Sequence, residues 1–303
     1  MVNKSPSIRH YAATEQLERK DNQDYYFTDE KSQLYLVADG MGGLEGGAYA
    51  SKFASELTLK LIRSIDSLFS SDGEPMKDIS IQPDDLEDSP NDDYEEILQT
   101  MIKEIHDGLI DETDRMAFEK MGCTLVLVLL RNKKAYVLNV GDSPCYLYSE
   151  QTLRQVTRSH SKVDQMVRDG EITKEEAKVH PKRNVITRCL GGQKDKAKAD
   201  IHVMPYYKND RFFLCTDGVT KVLSDEEIES FLKIKDSKKA IDQMMAAIKK
   251  APPERSSTSG RIILKDNATA MIVDVVSLEE KKTKKTKSLS STKGNIGEQT
   301  FID

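Results

Sequence analysis

The chain contains no tryptophan, and aromatic residues make up only 6% of its 303 positions. Little is available to stack on exposed bases, and a formal net charge of −6 gives no general attraction to a phosphate backbone, so no nucleic-acid partner is expected. Long apolar runs are missing as well. The longest, Met121 to Leu130, is about half of the ~20 residues that a membrane-spanning helix needs, and Met1 to His10 carries no apolar block of the signal-peptide kind. Stable membrane insertion is therefore not expected. The four cysteines, Cys123, Cys145, Cys189 and Cys215, include no CxxC pair, which argues against a disulfide framework or a thiolate zinc site and for a reducing cytoplasm. The five histidines, His10, His106, His160, His180 and His202, show no metal-ligand spacing.

What is present suits a soluble enzyme-sized domain: 38% hydrophobic residues for a core and 32% charged residues for its surface. The charges are unevenly placed. Residues 72–96 are acidic, with Lys77 the only base, and Pro75, Pro83 and Pro90 interrupt them; they read as a solvated loop. Lys281 to Lys293 (KKTKKTKSLSSTK) has no acid and no periodicity, and reads as part of a basic, unstructured tail over 277–303. Ala251 to Gly260 reads as a surface loop. One catalytic domain over 1–276 is the economical organisation, and nothing demands more than a monomer.

Strands are expected at Leu34 to Ala38, Thr124 to Leu130, Ala135 to Val140, Cys145 to Tyr148, Arg211 to Cys215 and Ala268 to Val276. Arg131 to Lys134 joins two of them so briefly that they must form an antiparallel hairpin. Helical periodicity covers Ala48 to Leu68, Tyr94 to Phe118 and Ile241 to Ile248. Ser224 with Glu227, and Thr173 with Glu176, have the spacing of capping boxes. Antiparallel strands with helices inserted in long blocks predict an α+β layered sandwich.

Three apolar strands end in an aspartate followed by glycine or a small polar residue: Val37-Ala38-Asp39-Gly40, Val140-Gly141-Asp142-Ser143 and Leu214-Cys215-Thr216-Asp217-Gly218. Asp266-Asn267 stands just before the last strand. A single Asp-Gly is ordinary turn chemistry. Four such carboxylates at strand ends would, if they converge, line a cavity with oxygen, which suits Mg²⁺ or Mn²⁺ and not zinc.

The order of motifs resembles that of the metal-dependent type-2C serine/threonine protein phosphatases, in particular their compact bacterial branch. The matching residues are RKDNQD at Arg19 to Asp24, VADGMGG at Val37 to Gly43, Gly122-Cys123-Thr124, NVGDS at Asn139 to Ser143, NVITRCLGG at Asn184 to Gly192, LCTDGV at Leu214 to Val219 and DNATAMIV at Asp266 to Val273. The resemblance implies a four-layer α-β-β-α sandwich of two mainly antiparallel sheets flanked by helices. It also implies a centre of two Mg²⁺ or Mn²⁺ ions, bridged by Asp39, with the Gly40 carbonyl on one ion and Asp217 and Asp266 on the other. Asp24 would hold metal-bound water, and Asp142 with Asp217 matches the position of a third ion. Arg19 matches the phosphate-binding arginine, whose rigid fork of donors suits phosphate oxygens. The segment 160–188 resembles a flap beside the site. The implied activity is hydrolysis of phosphoserine and phosphothreonine in proteins, products of a serine/threonine kinase, by attack of a metal-bridging hydroxide.

Several positions depart from the pattern. Leu44 and Ala48 stand where histidine and glutamate are usual, Met41 follows Asp-Gly directly, Pro144 replaces a common arginine, and Ser159 precedes His160-Ser161 in place of aspartate. None is a ligand in the implied scheme, but no imidazole is offered as general acid, and none is assigned. Leu44 and Ala48 are the only support for the alternative, a catalytically weak pseudophosphatase that binds phosphoproteins. His160 reads as structural, and Cys189 has no phosphate loop that would make it a nucleophile. The lysine tail, outside the resemblance, has the charge to dock weakly on an acidic partner or anionic membrane surface.

Overall fold

A computed structural model describes residues 6–68, 92–192, 197–255 and 262–277. The first half contains β1 (Ser7–Glu15), β2 (Asp24–Asp29), β3 (Leu34–Met41), α1 (Gly43–Leu68), α2 (Asp92–Arg115), β4 (Gly122–Cys123), β5 (Leu125–Arg131), β6 (Lys134–Val140), β7 (Cys145–Ser149) and β8 (Thr152–Gln155). Then follow α3 (Lys162–Arg168), α4 (Lys174–Val179), β9 (Leu190–Gly191), β10 (Asp200–Pro205), β11 (Arg211–Cys215), α5 (Asp217–Thr220), α6 (Asp225–Leu232) and α7 (Ser237–Lys250). The two-residue strands β12 (Glu254–Arg255) and β13 (Ile262–Ile263) pair with each other, and β14 (Ala268–Ser277) closes the described chain.

The strands form two main sheets, one ordered β1-β14-β11-β7-β8 and the other β10-β6-β5-β3-β4-β9, with β2 also on β3. Every pairing among the described strands is antiparallel. The period-two alternation of side chains then accounts for the layers. On β3 and β5, Leu34, Leu36, Ala38, Leu125, Leu127 and Leu129 pack with residues of α1 and α2. Their alternates Tyr35, Val37, Val126 and Val128 meet Phe212, Leu214, Met271 and Val273 from the other sheet. The reverse faces of β11 and β14, with Phe213, Cys215, Ala270 and Ile272, cover Ile228, Ile241, Met244 and Ile248 of α6 and α7. Three apolar layers thus separate four layers of secondary structure, the α-β-β-α sandwich expected above. Strands apolar on both faces are buried on both faces.

The capping boxes at Thr173–Glu176 and Ser224–Glu227 are formed and start α4 and α6. Three expectations need correction: the extents of the acidic loop, of β3 and of the tail. The acidic stretch is not loop throughout, because Asp92 already begins α2; residues 72–91 lie outside the described ones. The segment 160–188 is built around α3 and α4, pinned by a bridge between Ser161 and Ile186. Strand β3 does not stop at Asp39-Gly40, since Gly40 and Met41 pair with Cys123 and Gly122. Ser277, assigned to the tail, is the last residue of β14 and pairs with Ser7; residues 278–303 lie outside the described ones. Among the described residues, no helix is long and apolar enough to cross a membrane.

Two glycines set how closely the elements carrying the aspartates approach. A Cβ on Gly40 would lie 2.0 Å from the Gly47 carbonyl oxygen, so β3 meets the first turns of α1 backbone to backbone. A Cβ on Gly218 would lie 1.9 Å from the Asn267 carbonyl oxygen, so α5 starts directly against the chain entering β14. Gly218→Ala is expected to lose about 1–3 kcal/mol of stability through overpacking, read as a lower urea midpoint at unchanged m-value. An unchanged midpoint would mean that this approach is not tight.

Candidate active site

The β2–β3 ladder places Asp24 directly opposite Asp39. Asp24 is buried, and its Oδ2 accepts hydrogen bonds from the hydroxyls of Thr216 (2.8 Å) and Thr269 (2.7 Å), residues at the edge of the other sheet. One carboxylate thereby ties both sheets at the same end of the sandwich. Asp39 is fixed through its backbone: its N–H donates to Thr124 Oγ1 (3.1 Å) and its carbonyl accepts from the Thr124 N–H (2.8 Å). The Thr124 hydroxyl also shares a 2.7 Å hydrogen bond with Ser143, next to Asp142. Gly141, at φ +112°, makes the turn before Asp142, and its N–H donates to His160 Nδ1 (3.1 Å).

Asp217 is the first residue of α5, which projects it from the end of β11. Asp266 precedes Asn267, whose amide donates to the carbonyls of Gln16 and Asp21 while its Oδ1 accepts from the Gln23 N–H, each at 2.9 Å. Asn267 so pins the loop that carries Arg19 to the start of β14. In that setting Arg19 Nη2 lies 2.9 Å from Asp266 Oδ2.

Sequence reasoning missed four contributors: Asn267 as a staple, the hydroxyls of Thr216 and Thr269, and Lys221. The ammonium of Lys221 lies 2.5 Å from Asp217 Oδ2 and 3.2 Å from Asp266 Oδ2. Burial disfavours its charge, but the two carboxylates outweigh that and hold the lysine protonated. The spacing of four between Asp217 and Lys221 on one helical turn was the available signal.

Electrostatics show that the five carboxylates act on one another. Burial and the charges of Asp217 and Asp266 push the Asp24 pKa up to about 7 against the two hydroxyl hydrogen bonds. Burial and Asp217 push Asp142 to about 7, with Lys221 opposing. Asp39 is driven well above the ordinary carboxylate range by burial and then by Asp24, Asp217, Asp142 and Asp266. Asp217 is raised by burial, moderated by Lys221. Three buried oxygens, Asp24 Oδ1, Asp142 Oδ1 and Asp217 Oδ1, have no hydrogen-bond partner. Unpartnered carboxylate oxygens facing like charge are costly unless a cation neutralises them. Among the described residues, no three His, Cys, Asp or Glu side chains close tightly enough to cage an ion; here Asp217 and Asp266 are drawn to Lys221 and Arg19. The donors are all hard oxygens, so the set fits Mg²⁺ or Mn²⁺.

Around this cluster, His160 is buried, with Nε2 near Asp200 (3.2 Å) and Arg188 (3.2 Å). Both ring nitrogens are engaged, as a structural histidine requires. Its N–H donates to the Gly141 carbonyl (2.9 Å), which anchors the segment 160–188 beside Asp142. The Pro144 carbonyl accepts from the Cys215 N–H (3.2 Å) and Ser159 accepts from Arg168 through its carbonyl (3.3 Å), so these two departures make backbone contacts of their own. Leu44 and Ala48 lie in α1. Cys123, Cys145 and Cys215 are buried and Cys189 partly so; burial raises each thiol, which leaves none poised as a nucleophile.

Residues 15–257 match the family model described as Protein phosphatase 2C. The chain is 31% identical over 229 residues to the serine/threonine phosphatase stp of Listeria innocua, covering 75% of this chain and 80% of that one. It superposes on the crystal structure of the Mycobacterium tuberculosis serine/threonine phosphatase PstP/Ppp with a TM-score of 0.69 at 25% identity, covering 89% and 99% of the two chains. It also superposes on the catalytic domain of PstP in complex with two manganese ions, with a TM-score of 0.65 at 25% identity, covering 89% and 99%.

Proposed function

The chain belongs to the protein phosphatase 2C family and is a serine/threonine phosphatase, and we propose that the carboxylate cluster at the end of its sandwich is the active site. Asp39, the Gly40 carbonyl, Asp217 and Asp266 would hold two divalent ions, Mg²⁺ or Mn²⁺; Asp24 would stand beside them, and Asp142 would offer a place for a third. Such ions, when bound, make a water molecule acidic enough to attack near neutral pH and screen an anionic phosphate from the nucleophile. The observation that carries this reading is the set of three buried, unpartnered oxygens on Asp24, Asp142 and Asp217.

The chain's own residues do the rest. Arg19 has a side chain 49% exposed and spends one donor on Asp266, leaving others for phosphate oxygens. Asn267 fixes the loop on which Arg19 stands, and the hydroxyls of Thr216 and Thr269 hold Asp24 so that one oxygen remains open to the cluster. The substrate is a phosphoserine or phosphothreonine side chain of a protein, the product of a serine/threonine kinase; water cleaves it to the alcohol and inorganic phosphate. A single catalytic domain that runs to the end of β14 at Ser277, acting as a monomer in a reducing cytoplasm, accommodates the four free cysteines.

The test is phosphate release from p-nitrophenyl phosphate and from a phosphothreonine peptide. Release is expected with Mn²⁺ or Mg²⁺ and is expected to vanish with excess chelator. Metal-independent turnover, or none in millimolar Mn²⁺, would overturn the reading.

A further inference from the structure

Lys221 stands where no cation is needed to build a sandwich. It is the C-cap residue of α5, one helical turn after Asp217, and a side chain there points back toward the start of its helix. Its ammonium consequently sits between Asp217 (2.5 Å) and Asp266 (3.2 Å), and Asp266 Oδ2 also receives Arg19 at 2.9 Å. The lysine is only 35% exposed and the two carboxylates 15% and 26%, so the contact is sheltered and not a surface ion pair of negligible strength. The same ammonium faces Asp142 electrostatically. Two of the carboxylates assigned above to divalent ions therefore already share one cation supplied by the chain.

We infer that Lys221 competes with a divalent ion for Asp217 and Asp266, so that metal loading requires its ammonium to be displaced and this lysine sets the metal affinity of the site. The inference rests on the active-site reading given above. An ion placed on Asp217 and Asp266 would stand within a few ångströms of the ammonium in a sheltered site, where like charges repel, so the ammonium must leave and be re-solvated or find the substrate phosphate. A neutral residue at 221 removes that cost from metal binding while withdrawing a partner from the metal-free fold.

The experiment is isothermal titration of the full chain, stripped of metal, with Mn²⁺, comparing the native protein with Lys221→Gln and Lys221→Met. Thermal melts with and without the ion serve as an independent readout. Both variants are expected to bind their weakest ion at least ~10-fold more tightly, the scale of one charge-assisted hydrogen bond no longer surrendered. Their metal-free melting temperatures are expected to fall and the Mn²⁺-induced rise to grow. Circular dichroism checks that both variants fold; if Lys221→Met does not, Lys221→Gln carries the comparison. Unchanged or weaker Mn²⁺ binding in the folded variants overturns the inference and leaves the active-site reading standing. A raised KM for phosphopeptide with unchanged Mn²⁺ affinity likewise overturns it, making Lys221 a substrate contact. A native chain that binds no Mn²⁺ removes both.

Discussion

Asp39→Asn is expected to abolish phosphate release, by at least ~10³-fold in kcat/KM or about 4 kcal/mol of transition-state stabilisation, while leaving the metal-free protein folded and at least as stable as the native one. The two halves of that result have separate causes. The backbone of Asp39 is held on both sides by Thr124 and lies in register with Asp24, so the side chain is not what keeps the strand in place. Burial and four neighbouring carboxylates make an ionised Asp39 costly, and an amide of the same shape carries no charge to repel them. Removing that charge relieves the metal-free fold and deprives a bound cation of its central ligand. Ordinary core residues behave oppositely, because their loss lowers activity by lowering stability. The measurements are steady-state hydrolysis of p-nitrophenyl phosphate in Mn²⁺ and a melt in chelator. Retained activity would remove Asp39 from the site, and a sharply lower melting temperature would make its role architectural.

Parts of this arrangement can be read from the sequence because their causes are local. Strands β3, β5, β11 and β14 are sandwiched between two apolar layers and so appear as uninterrupted apolar runs. The boxes at Thr173 and Ser224 span four residues and depend on little else. By contrast β1 (SIRHYAATE) and β2 (DYYFTD) mix polar and apolar residues, since most of their side chains are only partly buried, and they escape a search for apolar runs. Asp92 and Asp93 look like more of the acidic stretch until α2 is seen to start there. The approach of Asp24 to Thr216 and Thr269 spans some two hundred residues of chain and has no local signature. Lys221 is hardest, since a lysine four residues after an aspartate ordinarily marks a helix surface. Only the burial of Asp217 and the nearness of Asp266 make it part of the site. Motif order singles the aspartates out, and the β2–β3 register sets Asp24 opposite Asp39.

Without metal, the protein is expected to lose stability as pH rises from about 5 to 8, contrary to the usual behaviour of a fold stabilised by carboxylate ion pairs. The sign follows from Asp24 and Asp142, whose folded-state pKa values near 7 lie above the ordinary carboxylate value of 3.8. Between those limits the folded state binds more protons than the unfolded state, so folding is favoured at low pH and the advantage is lost as pH climbs through 7. One such group displaced by about three pH units is worth on the order of 4 kcal/mol, enough to move a melting temperature by several degrees. His160, lowered by burial, pulls the other way, because its neutral folded form is disfavoured in acid. The cleaner quantity is therefore the rise in melting temperature produced by saturating Mg²⁺, in which titrations common to both forms cancel. Since the ions must expel the protons held by Asp24, Asp39, Asp142 and Asp217, that rise is expected to be small at pH 5 and several degrees larger at pH 8. A rise independent of pH would mean that these carboxylates are ionised before any cation arrives, and the mutual repulsion on which the site is built would have to be abandoned.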